Sequence, residues 1–140
     1  MTTKKPTVQQ YMSRSPLTIG RDQPLSRAHA VMREHAIRHL PVLEGGSLIG
    51  MLSQNDLYLV ESLPDVDARQ VSVEEAMSRE VYAVPPETPL VDVARTMADS
   101  KLSSAVIMQG QHVLGVFTGV DLARALARLL DGEPAPDRAP

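Results

Sequence analysis

Laid over itself at an offset of 65 residues, the chain places Val8 to Leu57 on Val73 to Leu122 without a gap, and this repeat limits its fold more than any other feature. Eleven of the 50 pairs are identical: Val8/Val73, Met12/Met77, Ser13/Ser78, Arg14/Arg79, Pro24/Pro89, Leu25/Leu90, Met32/Met97, Gly45/Gly110, Gly50/Gly115, Asp56/Asp121 and Leu57/Leu122. Others keep their character, among them Ile19/Val84, Val42/Ile107, Leu48/Val113, Ile49/Leu114, Leu52/Phe117 and Ser53/Thr118. A unit of about 50 residues is too small to bury a comfortable core alone, so the two copies are expected to pack together around one core. At 140 residues the whole chain is long enough to fold without a staple. With no cysteine, a disulfide framework, thiolate-bound zinc, an iron–sulfur cluster and a thiol nucleophile are all excluded.

Within each copy the punctuation predicts the elements. Val8–Met12 and Val73–Met77 read as short helical turns, followed by brief strands near Leu17–Ile19 and Val81–Val84. Thr88-Pro89 reads as a helix start, a hydroxyl cap with proline in the first turn. Leu90, Val93, Ala94, Met97 and Ala98 then recur at helical spacing, as do Leu25, Ala28 and Met32. Two apolar runs split by glycine follow each helix: Leu40–Leu43 and Leu48–Leu52 about Gly45-Gly46, then Ala105–Met108 and Val113–Phe117 about Gly110. Each pair predicts a β-hairpin. A helix closes each copy, Asn55 to about Leu63 and Val120 to about Leu130, for an order of strand, helix, strand, strand, helix. The first copy is therefore set at residues 1–63, a linker at 64–70, the second copy at 71–130 and a disordered tail at 131–140, whose prolines and charges suit no core.

Composition removes several functions. Four aromatic residues, Tyr11, Tyr58, Tyr82 and Phe117, are too few for a stacking platform on single-stranded nucleic acid. Net charge is −3 but uneven: seven Lys/Arg against two acids in residues 1–40, one against seven in 41–75, six against eight in 76–140. The basic excess suits either a phosphate-bearing ligand or a solvated face, and the acidic remainder opposes nucleic-acid binding. Apolar runs fall well short of the roughly 18 residues that span a bilayer, and no apolar stretch follows Lys4-Lys5, so a soluble cytoplasmic protein off the membrane is expected.

The residues Ile37-Arg38-His39-Leu40-Pro41-Val42, followed by Gly50-Met51-Leu52-Ser53-Gln54-Asn55-Asp56-Leu57, resemble the second strand and the G-h-h-[ST]-x-x-D end of a CBS domain, the regulatory domain of cystathionine β-synthase. Gly115-Val116-Phe117-Thr118-Gly119-Val120-Asp121-Leu122 repeats that end. The resemblance covers about residues 8–130 and implies an α+β fold of two β-α-β-β-α motifs packed about a pseudo-two-fold axis. It also implies frequent homodimers, and two clefts between the motifs that in many relatives take adenosine-containing ligands.

In that light Ser53 with Asp56, and Thr118 with Asp121, acquire a role: the acid accepts from both ribose hydroxyls, while the hydroxyl and the free N–H groups of the helix start donate to phosphate. The same spacing is a capping box, and the two readings are compatible. Arg38 and His39 match family positions that approach the phosphate, for which a guanidinium fork is well shaped. Their counterparts Ser103-Ser104 are uncharged, and Pro41, beside the expected adenine pocket, becomes Val106. The site built on Arg38, His39, Ser53 and Asp56 is therefore the one expected to fill first, with backbone near Thr18-Ile19 and Ala83-Val84 lining the base.

His29, His35 and His39 lack metal-ligand spacing. Met12/Met77 and Met32/Met97 sit at equivalent apolar positions and read as core. No catalytic motif is present, so no enzyme is expected and no cofactor is required. The expected function is a regulatory module sensing AMP, ADP or ATP, with S-adenosylmethionine, NAD or a cyclic dinucleotide as lesser candidates. It would act as a homodimer read by an effector protein outside this chain. The alternative is a ligand-free module for homodimerisation or partner binding.

Overall fold

The computed structural model describes residues 5–15 and 17–136. A 3-10 turn (Val8–Gln10) leads to β1 (Ser13–Arg14), β2 (Ile19–Gly20), α1 (Leu25–His35), β3 (His39–Glu44), β4 (Ser47–Ser53) and α2 (Gln54–Glu61). The second repeat follows with α3 (Val73–Ala76), β5 (Ala83–Val84), α4 (Leu90–Asp99), β6 (Ser104–Gln109), β7 (His112–Thr118) and α5 (Gly119–Leu130). Both hairpins form where glycine allows positive φ, at Gly45 (56°), Gly46 (84°) and Gly110 (62°). Each carries a register shift at the same repeat position, Val42/Leu43 and Ile107/Met108.

The chain divides into two compact units that cut across the sequence repeats. A middle unit is Leu17–Val81, and a split unit joins the described residues before it to those from Tyr82 onward. Each leading turn is thus exchanged into the unit built by the other repeat. In the split unit Val8 N–H donates to the Thr88 carbonyl (2.9 Å), Gln9 N–H to Pro86 (3.2 Å), and Leu90 N–H to Pro6 (2.8 Å). In the middle unit Val73 N–H donates to Gln23 (2.8 Å), Glu74 N–H to Arg21 (2.9 Å), and Leu25 N–H to Val71 (2.9 Å).

The exchanged segment then runs along the outer hairpin strand. β1 pairs antiparallel with β7, giving the order β1-β7-β6-β5, and in the middle unit Ser78 bridges Met51 beside the sheet β2-β3-β4. This close approach explains the conserved Gly50/Gly115 pair. A Cβ on Gly50 would meet the Met77 sulfur at 2.5 Å and the Ser78 carbonyl oxygen at 2.9 Å, and one on Gly115 would run into the Ser13 carbonyl.

Because each unit closes its own sheet with two helices and a borrowed turn, apolar packing forms two clusters instead of the single core expected. Val8, Met12, Leu90, Val93, Ile107 and Phe117 centre one; Leu25, Leu40, Val42, Leu52, Leu57 and Val73 centre the other. The methionine pairs belong to these clusters, as their repeat positions predict.

Three local expectations need correction. Thr88 does not cap α4: Pro89 is the N-cap residue, and the Thr88 hydroxyl donates to the Pro85 carbonyl (2.8 Å). The stretch 64–70 is more than a tether, since Ala68 packs on the middle core and its carbonyl accepts Ser26 N–H (3.0 Å). Past Gly132 the chain folds back, with Arg128 donating to the Pro134 carbonyl (2.8 Å) and Ala135 against the split-unit core. The rest of the expected disordered tail, 137–140, lies outside the described residues.

Candidate functional site

β4 ends at Ser53 in an extended conformation, which makes it the N-cap of α2. Asp56 N–H donates to Ser53 Oγ (3.1 Å), and Ser53 N–H donates to Asp56 Oδ2 (2.8 Å). β7 hands over to α5 in the same way: Thr118 N–H donates to Asp121 Oδ2 (2.9 Å), with the Thr118 hydroxyl 3.3 Å from that oxygen. The capping reading of both motifs is therefore present in the structure.

The two carboxylates differ in what else they meet. Asp121 is 2% exposed, and the Ser13 hydroxyl of the exchanged segment donates to its Oδ1 at 2.6 Å. Both its oxygens are thus engaged. Asp56 is half-buried, and the position that Ser13 fills at Asp121 has no serine opposite it here: Ser78, the repeat equivalent, is exposed and bonds Met51 through its backbone. Ser13 was not singled out as a site residue, although its identity with Ser78 was a signal in the repeat.

Arg38 and His39 enter the same corner through the backbone. The Arg38 carbonyl accepts Gln54 N–H (2.9 Å), which places it beside the first turn of α2, and His39 lies opposite Ser53 in the β3–β4 ladder. Arg38 is exposed and forms no ion pair among the described residues. In the split unit Ser104 lies opposite Thr118 in the same register, without a cation at either residue.

The residues expected to line the base occupy the neighbouring strands. Ile19 pairs with Val42, and Ala83 with Val106. Ile19 and Val84 are buried in their cores, Thr18 is half-buried, and Ala83 is exposed. Pro41 and Val106 are buried, with one consequence of their difference visible: Val106 N–H donates to the Tyr82 carbonyl (2.8 Å), a bond that Pro41 has no N–H to make. The structure therefore gathers Arg38, His39, Ser53 and Asp56 at one end of the middle unit, and Ser104, Thr118 and Asp121 at the matching end of the split unit.

Among the described residues no group of three His, Asp or Glu side chains could hold a metal, and His29 pairs instead with Glu61. No helix among them is long and apolar enough to cross a membrane.

Comparison with known proteins agrees with this geometry. The chain is 29% identical over 117 residues to the CBS domain-containing protein YhcV of Bacillus subtilis, covering 84% of this chain and 83% of that one. It is 26% identical over 113 residues to inosine-5'-monophosphate dehydrogenase of Korarchaeum cryptofilum, covering 80% of this chain and 22% of the enzyme. Its fold is shared with the CBS domain pair of protein MJ0100, solved in complex with 5'-methylthioadenosine and S-adenosyl-L-methionine. There the TM-score is 0.77 at 23% identity, over 89% of this chain and 98% of that one. The profile of the CBS domain matches twice, at residues 8–61 and 73–128, and the chain belongs to the CBS domain family as a tandem pair.

Proposed function

We propose that this CBS pair is a regulatory module, without catalysis of its own, that senses an adenosine-containing nucleotide of the AMP, ADP or ATP class at the Ser53–Asp56 corner. The observation that carries the reading is the inequality of the two repeat-equivalent carboxylates. Asp121 is buried with Ser13 on its second oxygen, whereas Asp56 has only its cap partner, Ser53, and is half-exposed to solvent. A carboxylate in that state can accept the paired hydroxyls of a ribose. Exposed Arg38, beside the first turn of α2, supplies a forked cation where the helix N-terminus already favours an anion. The signal is the ligand's preference for one arrangement of the module over another, passed to an effector protein by a homodimer.

The test is thermal unfolding against AMP, ADP, ATP, NAD, a cyclic dinucleotide, S-adenosylmethionine and 5'-methylthioadenosine. A ligand at 100 times its Kd adds about 2.7 kcal/mol, a shift of several degrees for a chain this size. Asp56→Ala and Arg38→Ala are expected to lose the shift, and Asp121→Ala to keep it from a lower starting midpoint. A panel that stays flat, with calorimetry finding no heat of binding, overturns the sensor. It leaves the ligand-free association module, which the apolar groove described next favours.

A further inference from the structure

Between α4 and α5 of the split unit lies an open groove of about 610 Å³, with Val91, Ala94, Leu122, Leu126 and Leu129 in its lining. Leu122, Leu126 and Leu129 recur at helical spacing along one face of α5. Leu126 is 57% exposed, Leu129 46% and Val91 40%. Lys5, Asp92 and Arg95 supply the charged groups of the lining. Apolar surface gathered in a groove with charges at its margin is the composition of a protein interface.

We propose that this groove is the contact between two copies of the chain, split unit on split unit about a two-fold axis. Two observations choose that occupant. Asp92 and Arg95 stand three residues apart on α4, so a two-fold that sets α4 against its own copy can bring the acid of each helix to the base of the other. A partner of one charge sign would be repelled by one of them. The middle unit is also unsuited to meet this face in a head-to-tail contact. At the positions equivalent to Val91, Ala94, Leu126 and Leu129 it carries Ser26, His29, Glu61 and Pro64, and His29 and Glu61 form an ion pair. Burying that pair against leucines would cost desolvation without compensation.

The inference stands apart from the nucleotide reading, because it uses no residue of that corner and is tested without ligand. Sedimentation equilibrium of the full chain across micromolar concentrations is expected to give twice the 15.2 kDa chain mass. Leu126→Glu, which copies the residue that the middle unit carries there, is expected to give the single-chain mass with an unchanged circular-dichroism melt of the monomer. Arg95→Asp is expected to raise the dissociation constant about tenfold or more, and the double exchange Asp92→Arg with Arg95→Asp to restore it, as only a self-matched contact would. Leu59→Glu, on the exposed face of α2, is expected to change nothing. A single-chain mass for the unaltered protein, a dimer indifferent to Leu126→Glu, a double exchange that fails to rescue, or a dimer broken by Leu59→Glu each overturns the proposal.

Discussion

The middle and split units descend from one repeat and share a topology, yet they use their equivalent residues for different ends. In the split unit Asp121 is sealed by Ser13, β1 is a paired strand, and apolar surface sits on the helices. In the middle unit Asp56 stays accessible, Ser78 makes only a bridge, and an ion pair holds α1 to α2. Duplication leaves two backbones that fold alike, and divergence at a few side chains then frees one copy's cap for a ligand and the other's helices for a partner. Equivalence in sequence is equivalence of position, and what surrounds the position decides its chemistry.

The largest test of that contrast is Asp121→Ala against Asp56→Ala. The first removes a cap and leaves the Ser13 hydroxyl without its charged acceptor in a buried setting, at a cost of about 3 kcal/mol. The second loses a cap alone, about 1 kcal/mol. Equal losses in urea unfolding would erase the distinction between the two carboxylates. Next come the glycines under the exchanged segments. Gly115→Ala pushes a methyl into backbone at Ser13, about 2 kcal/mol, whereas Gly50→Ala first meets the movable Met77 sulfur and is expected to cost less, again by urea midpoint.

A smaller effect probes where the units agree. Ala36 and Lys101 end α1 and α4 at φ of 53° and 54°, left-handed backbone that glycine adopts without penalty. Ala36→Gly and Lys101→Gly are expected to raise stability by similar amounts, up to about 1 kcal/mol each, and a gain at one alone would show that the helix ends differ in strain. The smallest effect lies in the segment that only the middle unit possesses between repeats. The Arg69 guanidinium hydrogen-bonds Asp67 and holds its carboxyl below the usual carboxylate range. A value lowered by folding favours the folded chain above the ordinary carboxylate range and ceases to do so as pH falls through the lowered value. In an NMR titration Arg69→Ala is expected to move the Asp67 midpoint upward; no movement would show the tie to be absent in solution.

The repeat made most of the fold legible, because apolar spacing and turn glycines act over a few residues and appeared twice. The hairpins at Gly45-Gly46 and Gly110, the helices from Leu25 and Leu90, and the caps at Ser53 and Thr118 are all local decisions. The exchange of leading turns was not legible, since Val8 and Val73 are identical and an offset says nothing about which copy receives them. The seal on Asp121 was hidden for the same reason: Ser13 and Asp121 lie 108 residues apart and meet only through that exchange. Thr88 misled because its hydroxyl has two competing acceptors nearby in sequence, and the turn at Pro85 takes it.

The exchanged turns also set the order in which a nascent chain can complete itself. The middle unit is contiguous, so all its strands and its borrowed α3 have been synthesised once Val81 has left the ribosome. Val8 must instead wait for Thr88, and β1 for β7, about a hundred residues later. The residues made first are therefore docked last, and an early stall in translation would release a finished middle unit trailing an unpaired leading turn.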